Sequence, residues 1–513
     1  MNHQAPSSEN SKSVRTSSIK KDMITGSAWM VSMRWVIRSI GLVSTIILAR
    51  LLLPEDFGLV AMAMLIAGLL DILMSFGVDL ALIQNPKAER KHFDTAWTIQ
   101  VLQGVFTGTL LLTLAPAAAS YFDEPRVIPL IQVITIGVFF QGFTNIGIVA
   151  FRKELDFMRE FRFMVSKKLI TFFVTIGMAL LLRNYWALAI GIITGQVLSV
   201  ALSYAMHSYR PKFSLQAIRD IWSFSQWMLV TNIGDYAYNK ADEFIVGGMI
   251  GTKNLGVYTV SSEIANLPTT ELVFPISRAL FPGFAKLTDD LQRLSAAYLN
   301  VLGFIALFAI AAGVGVLSVA SDFVLVVLGS NWVDAIPVIQ WLAVFGLIRA
   351  VYGQAGSVFL ALGHVRALAL LIWLQVILLI IFVYFGSLSG GIVGAAVGKV
   401  SVAVIFATIL FYALMRIIPL TLSNISSRLW RPILASLVMA FTINFFHNSI
   451  FTSPPLSLLH DIIIGTLVYI AAILTLWHIS GRPKGAEQFL FDFVINKFNR
   501  KDLKCPKQNQ KSP

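Results

Sequence analysis

Basic residues collect in every second gap between the long apolar stretches of this chain. Arg152, Lys153, Arg159, Arg162, Lys167 and Lys168 crowd one such gap, with an apolar run on either side. Alternation of this kind orients a many-helix membrane protein, because Lys and Arg are retained on the cytoplasmic side. Hydropathy agrees: 56% of the residues are hydrophobic and 13% charged, with mean hydropathy +0.75, against roughly 25% charged in soluble domains. No interval between apolar runs is long enough to hold a soluble domain.

A helix needs about 20 apolar residues to cross the hydrocarbon core. Fourteen stretches qualify: 27–50, 57–83, 95–119, 127–150, 164–182, 185–205, 221–250, 255–277, 297–320, 337–361, 367–386, 390–415, 431–447 and 458–479. With the N-terminus placed in the cytoplasm, the inner segments carry 31 basic residues and the outer turns 4 (Arg50, Arg126, Arg183 and Lys253), with 5 more inside spans. That bias puts both termini in the cytoplasm. The net charge of +13 is spread over span ends, where it orients the chain and meets anionic lipid. It forms no basic–aromatic footprint for nucleic acid. The lone Cys505 allows no internal disulfide and no thiolate metal site,.

The chain repeats itself weakly. A shift of 198 residues brings Ser27, Trp29, Met30, Ile47 and Gly58 onto Ser225, Trp227, Met228, Ile245 and Gly256. The first span lands on the seventh in the same orientation, as in a parallel repeat about an axis along the membrane normal. The expected architecture is all-α and polytopic. A cytoplasmic tail (1–26) precedes a six-helix bundle (27–205) and a second one (221–415), followed by two appended helices (431–479) and a basic tail (480–513).

Ionisable groups inside spans are expensive and face protein interiors or water-filled cavities. Here they gather in the leading spans of each half. Arg34 and Arg38, four apart, share one face of the first span, and Arg38 lies about 16 Å in at 1.5 Å per residue. Asp71 and Asp79 lie in the second span, Asp235, Lys240, Asp242 and Glu243 in the seventh, and Glu263 and Glu271 in the eighth. The acids serve either as counter-charges to the buried bases or as ion-coupling groups. Arg349 and Lys399 add positive charge with no acid in their own spans. Surplus Arg and Lys in a membrane cavity favours an anionic guest, above all a phosphate. The expected substrate contacts are therefore Arg34, Arg38, Lys240, Arg349 and Lys399. Asp71, Asp235 and Glu263 are the candidates for a coupling cation, H+ or Na+. Pro268 and Pro275 in the eighth span, with Gly247, Gly248 and Gly251 ending the seventh, predict broken helices there.

A membrane glycan polymerase or ligase would need acids, bases or metal ligands on accessible loops. The outer loops are short, no D-x-D pattern occurs, and the seven histidines show no ligand spacing. Those of the inner loops, including His92 and His207, are expected at polar surface. No enzyme, cofactor or metal is expected, and no nucleotide loop of Walker type is present. A drug exporter would favour an acid-dominated cavity.

The run Ala49-Arg50-Leu51-Leu52-Leu53-Pro54-Glu55-Asp56-Phe57-Gly58 resembles the first hairpin of polysaccharide-transport flippases in the multidrug/oligosaccharidyl-lipid/polysaccharide exporter superfamily. The likeness extends to Trp29, Gly77, Ala81-Leu82-Ile83-Gln84, Arg152-Lys153-Glu154-Leu155-Asp156-Phe157, Gly256-Val257-Tyr258, Phe281-Pro282 and Leu328-Gly329 with Trp332, Ala335 and Pro337. It covers roughly residues 20–420 and is greatest to the lipopolysaccharide and colanic-acid exporter branch. The resemblance implies ion-coupled, alternating-access transfer of undecaprenyl-diphosphate-linked oligosaccharide from the cytoplasmic to the periplasmic leaflet of the bacterial inner membrane. The glycan would feed surface polysaccharide, with polymerase and assembly proteins as candidate partners. An exporter of drugs or of another lipid-linked precursor is the alternative within the superfamily. Beyond the last span, Phe489, Leu490, Phe493, Val494 and Phe498 interleave with charge as in an interfacial helix.

Overall fold

The computed structural model describes residues 8–74, 77–84, 88–154, 156–446, 453–483 and 485–488; the expected interfacial helix at 489–498 lies outside them. Contacts divide the chain into two compact units, Met1–Thr259 and Val260–Pro513. The first contains α1 (Ser8–Leu51), α2 (Pro54–Met74), α3 (Val78–Gln84), α4 (Arg90–Phe122), α5 (Val127–Gly142), α6 (Val149–Lys153), α7 (Phe157–Leu182), α8 (Trp186–Met206) and α9 (Ile218–Ile250). Helix α10 (Thr252–Ala285) begins in that unit and continues into the second. There follow α11 (Leu291–Phe323), α12 (Ala335–Tyr352), α13 (Ala355–Ala361), α14 (Val365–Met415), α15 (Leu422–Phe446) and α16 (Pro454–Ile479).

Among the described residues nine helices are long and apolar enough to cross a membrane, and a bent pair makes a tenth. One of the nine is α14, whose 51 residues fold back on themselves. Gly390 (φ −142°) and Gly391 (φ +57°, ψ −139°) leave helical geometry in its middle. The second conformation is one that only glycine adopts without strain. The two arms then touch: a Cβ built on Gly386 would lie 2.2 Å from the Gly394 carbonyl oxygen, and one on Gly398 2.3 Å from that of Phe382. Small residues permit such backbone approach in membrane helices. Counted as two arms, α14 brings the long helices among the described residues to the expected fourteen.

Three expectations about helix breaks need correction. The stretch 57–83 is not one span, because α2 stops at Met74 and Gly77 (φ +59°) leads into the short α3. The stretch 127–150 is bent by 66° between α5 and the helical turns at Ile146–Lys153. Asn145 stabilises that bend: its Oδ1 accepts from Gly147 N (2.9 Å) and its amide donates to the Tyr209 carbonyl (2.7 Å). Conversely, α10 runs helical through Pro268 and Pro275; membrane helices re-satisfy the carbonyls that proline frees. The break expected at the end of the seventh span does occur, at Gly251 (φ +90°) between α9 and α10.

The first-hairpin motif is a junction of helix ends. Pro54 opens α2 where its missing N–H is not needed,. Asp56 accepts from Leu53 N and from Tyr185 N, both at 2.9 Å, tying the entry of α2 to that of α8. Arg126 grips Glu124 through two 2.8 Å bonds and also pairs with Glu55. Hydrogen bonding to that guanidinium holds the Glu124 carboxyl below its usual range. Behind this network α2 and α10 cross at glycines: a Cβ on Gly58 would stand 1.8 Å from the Thr252 carbonyl oxygen, and one on Gly256 1.8 Å from that of Pro54. The offset of 198 that aligns Gly58 with Gly256 also aligns Pro54 with Thr252, so the contact maps onto itself under the internal repeat.

Candidate functional site

A polar cavity of about 620 Å³ lies within the first unit, among α2, α4, α5, α7 and the bend after α5. The bend builds one wall. The carbonyls left at the end of α5 lack intrahelical partners, and the Gln100 amide of α4 donates to those of Gln141, Gly142 and Thr144 at 3.2–3.3 Å. Gly104 brings α4 close enough for this, since a Cβ there would lie 2.9 Å from Gly142 Cα. Gln141 is exposed on the cavity side, and its Oε1 accepts from Gln196 Nε2 at 3.3 Å.

The lining carries charge of both signs. Asp71 and Asp79 face the cavity with Lys167, and Arg152 pairs with Glu160 at 2.5 Å. Neutral hydrogen-bonding groups outnumber them: Gln100, Gln103, Gln141, Thr107, Thr144, Asn145 and Ser199. Among the described residues no group of three His, Cys, Asp or Glu could hold a metal ion.

The other expected site residues occupy three further places. Arg34 and Arg38 sit half-buried on α1 and do not line this cavity; α1 packs on α7, where Trp29 meets Phe161 edge-on at 5.1 Å. On α9, Lys240 Nζ donates to Glu243 Oε1 at 2.6 Å, so this cation has a built-in counter-charge. Beside it the Tyr258 hydroxyl donates to Asp242 Oδ2 at 2.8 Å, with Tyr258 and Asp242 fully buried. The side chain of Asp235 lies outside the described residues.

In the second unit the two expected cations meet at one ring. Arg349 of α12 lies 6.0 Å and Lys399 of α14 4.8 Å from the centroid of Phe345. Phe345 and Lys399 are both buried, and an aromatic face offsets part of the desolvation of a buried ammonium. Gln375 Nε2 donates to the Tyr352 hydroxyl nearby on the same two helices (2.9 Å). Glu263, on α10 in this unit, is exposed.

Several structural roles were hidden in the sequence. His92 does not serve at polar surface, and His207 is half-buried. His92 is buried and closes a capping box with Glu89 at the start of α4. His207 packs against Gly147, where a Cβ would meet its ring at 2.4 Å. The first turns of α4 also secure the linker after α8: Asp94, Thr95 and Thr98 accept from Lys212 N, Ala217 N and Ser214 N at 2.9, 3.2 and 2.9 Å. The amides of the cavity carried no local signal; Gln100 and Gln103, three apart within an apolar run, were the one available cue.

A family model described as polysaccharide biosynthesis protein matches residues 47–337, more than half of the chain. The chain is 27% identical over 406 residues to the lipopolysaccharide biosynthesis protein WzxC of Escherichia coli K12, covering 78% of this chain and 82% of that protein. It is 22% identical over 439 residues to the succinoglycan biosynthesis transport protein ExoT of Rhizobium meliloti, covering 83% and 88%. Among solved structures, the lipid II flippase MurJ in an inward closed conformation is similar in fold, with TM-score 0.71 at 15% identity over 88% of this chain and 100% of that one.

Proposed function

The chain belongs to the polysaccharide biosynthesis protein family, and we propose that it is a flippase for undecaprenyl-diphosphate-linked oligosaccharide. In this reading it sits in the bacterial inner membrane with both termini cytoplasmic. It carries the glycan from the cytoplasmic to the periplasmic leaflet by alternating access of the halves 27–205 and 221–415. The observation that carries the reading is the set of charged and amide side chains held inside helices apolar enough to span a bilayer. Such groups are costly in hydrocarbon, and where retained they face a protein interior or water-filled pathway open to a polar guest.

The bases divide the work with the acids. Arg38 and Lys240 engage the diphosphate or its flanking sugars, with Arg34 and Arg349 assisting and Lys399 as a further candidate contact. Glu243 holds Lys240 in place until phosphate oxygens compete for it. Asp71, Asp235 and Glu263 are the candidates to bind the driving H+ or Na+, and the exposure of Asp71 to the cavity suits that exchange. Protonation or ion binding at a desolvated carboxylate changes its attraction for nearby bases.

Flipping of purified glycan-lipid in proteoliposomes tests this. An imposed proton or sodium gradient should accelerate transfer. Arg38→Ala should abolish it at normal membrane abundance, and neutralising the coupling acid should remove the acceleration. Full activity of the double variant Arg38→Ala, Lys240→Ala would reduce both to structural ion-pair partners. Gradient-stimulated flipping by Asp71→Asn, Asp235→Asn and Glu263→Gln alike would place coupling elsewhere.

A further inference from the structure

We propose that the cavity of the first unit is a subsite that reads the uncharged sugar rings of the translocated lipid. The proposal rests on the flippase reading and names the part of the substrate that this cavity takes. The polar part of its lining is mostly amides and hydroxyls, with Gln103, Gln141 and Thr144 on facing elements. An amide offers donors and an acceptor side by side, and a sugar hydroxyl needs both from its neighbours. The volume of about 620 Å³ falls in the ~300–1,000 Å³ range of small-molecule sites.

Charge separates this guest from the others. Arg152 is engaged by Glu160, and the lining holds three acids (Asp71, Asp79 and Glu160) against two bases (Arg152 and Lys167). A diphosphate entering it would meet carboxylates, whereas a neutral polyol pays no such penalty. The described residues converge on no metal site.

Preorganisation adds to the argument. Gln196 holds the Gln141 amide through its Oε1, and Gln100 fixes the three carbonyls of the adjoining bend. A polar wall fixed before the guest arrives spends less binding energy on ordering itself. Fixed amides discriminate between hydroxyl configurations, so this wall sets which glycan is accepted.

The test is binding to full-length protein in nanodiscs. The probes are the glycan-bearing undecaprenyl diphosphate extracted from the producing cells and sugar-free undecaprenyl diphosphate. The parent protein should prefer the glycan-bearing carrier. Gln103→Leu with Gln141→Leu should lose about tenfold on that carrier, as expected for two lost hydrogen bonds, and keep its affinity for the sugar-free one. Retained affinity for the sugar-free carrier shows that the variant is folded; Gln103→Ala alone serves if the double variant is not. Equal binding of both carriers by the parent overturns the proposal, and so does a preference that survives the substitutions. A parent that binds neither carrier overturns the flippase reading itself.

Discussion

The crossing of α2 and α10 makes Gly58→Ala a sharp test of the fold. A Cβ at Gly58 would lie 1.8 Å from the Thr252 carbonyl oxygen, and real Cβ atoms do not come within 3.0 Å of such a neighbour. The obstacle is backbone, so no rotamer change relieves it, and the two helix ends must part by about 1.2 Å, the difference between these distances. Overpacking of this kind costs ~1–3 kcal/mol. Radial gaps of 0.5–1 Å already forfeit a quarter to a half of each dispersion contact nearby, so we place this change near ~2–3 kcal/mol. Gly256→Ala should behave the same way, because it meets the Pro54 carbonyl at an equal 1.8 Å. The double variant should cost less than the sum, since the first alanine opens part of the gap the second needs, with a coupling of about 1–2 kcal/mol. Unfolding of the purified protein in mixed detergent–dodecyl sulfate micelles measures all four corners of the cycle. Single variants within ~0.5 kcal/mol of the parent, or strict additivity, would refute the close crossing.

Three further outcomes are expected. Lys240→Ala should destabilise the protein by roughly 1.5–3 kcal/mol through a lost charge-assisted hydrogen bond; adding Glu243→Gln should restore stability without restoring transport, whereas recovery of both would make Lys240 purely structural. Burial holds the His207 imidazole below its ordinary 6.5, so the unfolded chain takes up the proton first; thermal stability should be full above that pH and decline as pH falls below it, and an unchanged slope in His207→Gln would exclude this group as the cause. In a Cys505→Ser background, Lys253→Cys should react with an impermeant maleimide on intact cells and Arg159→Cys should not; the reverse pattern would invert the topology and the direction of transport.

How much was legible follows from the range of the forces involved. Long apolar runs act locally, so most of the spans, the separation of 367–386 from 390–415 and the helix end at Gly251 could be read directly. The cavity could not. Its wall depends on Gln100 meeting carbonyls some forty residues away, and no periodicity encodes that meeting. Proline misled for the same reason: Pro268 and Pro275 suggested breaks that tertiary context absorbs, while Asn145, an inconspicuous residue, stabilises a real one. The charged residues were found by type, their partners only in part. The spacing of three between Lys240 and Glu243 on one helix did allow their pairing,, but that Arg349 and Lys399 would share Phe345 is a fact of packing.

The bend between α5 and α6 has a consequence for how such a wall can vary. An unbroken helix offers side chains only at steps of about 100° and 1.5 Å, so its surface changes in fixed increments. Between Gly142 and Asn145 the chain is free of that lattice, and its carbonyls are positioned by one amide from another helix. Substitutions at 100 or 143–145 can therefore reshape the cavity continuously while the spans on either side keep their lengths and lipid-facing surfaces. A single scaffold of this kind can be retuned to differently shaped guests without its membrane insertion being renegotiated each time.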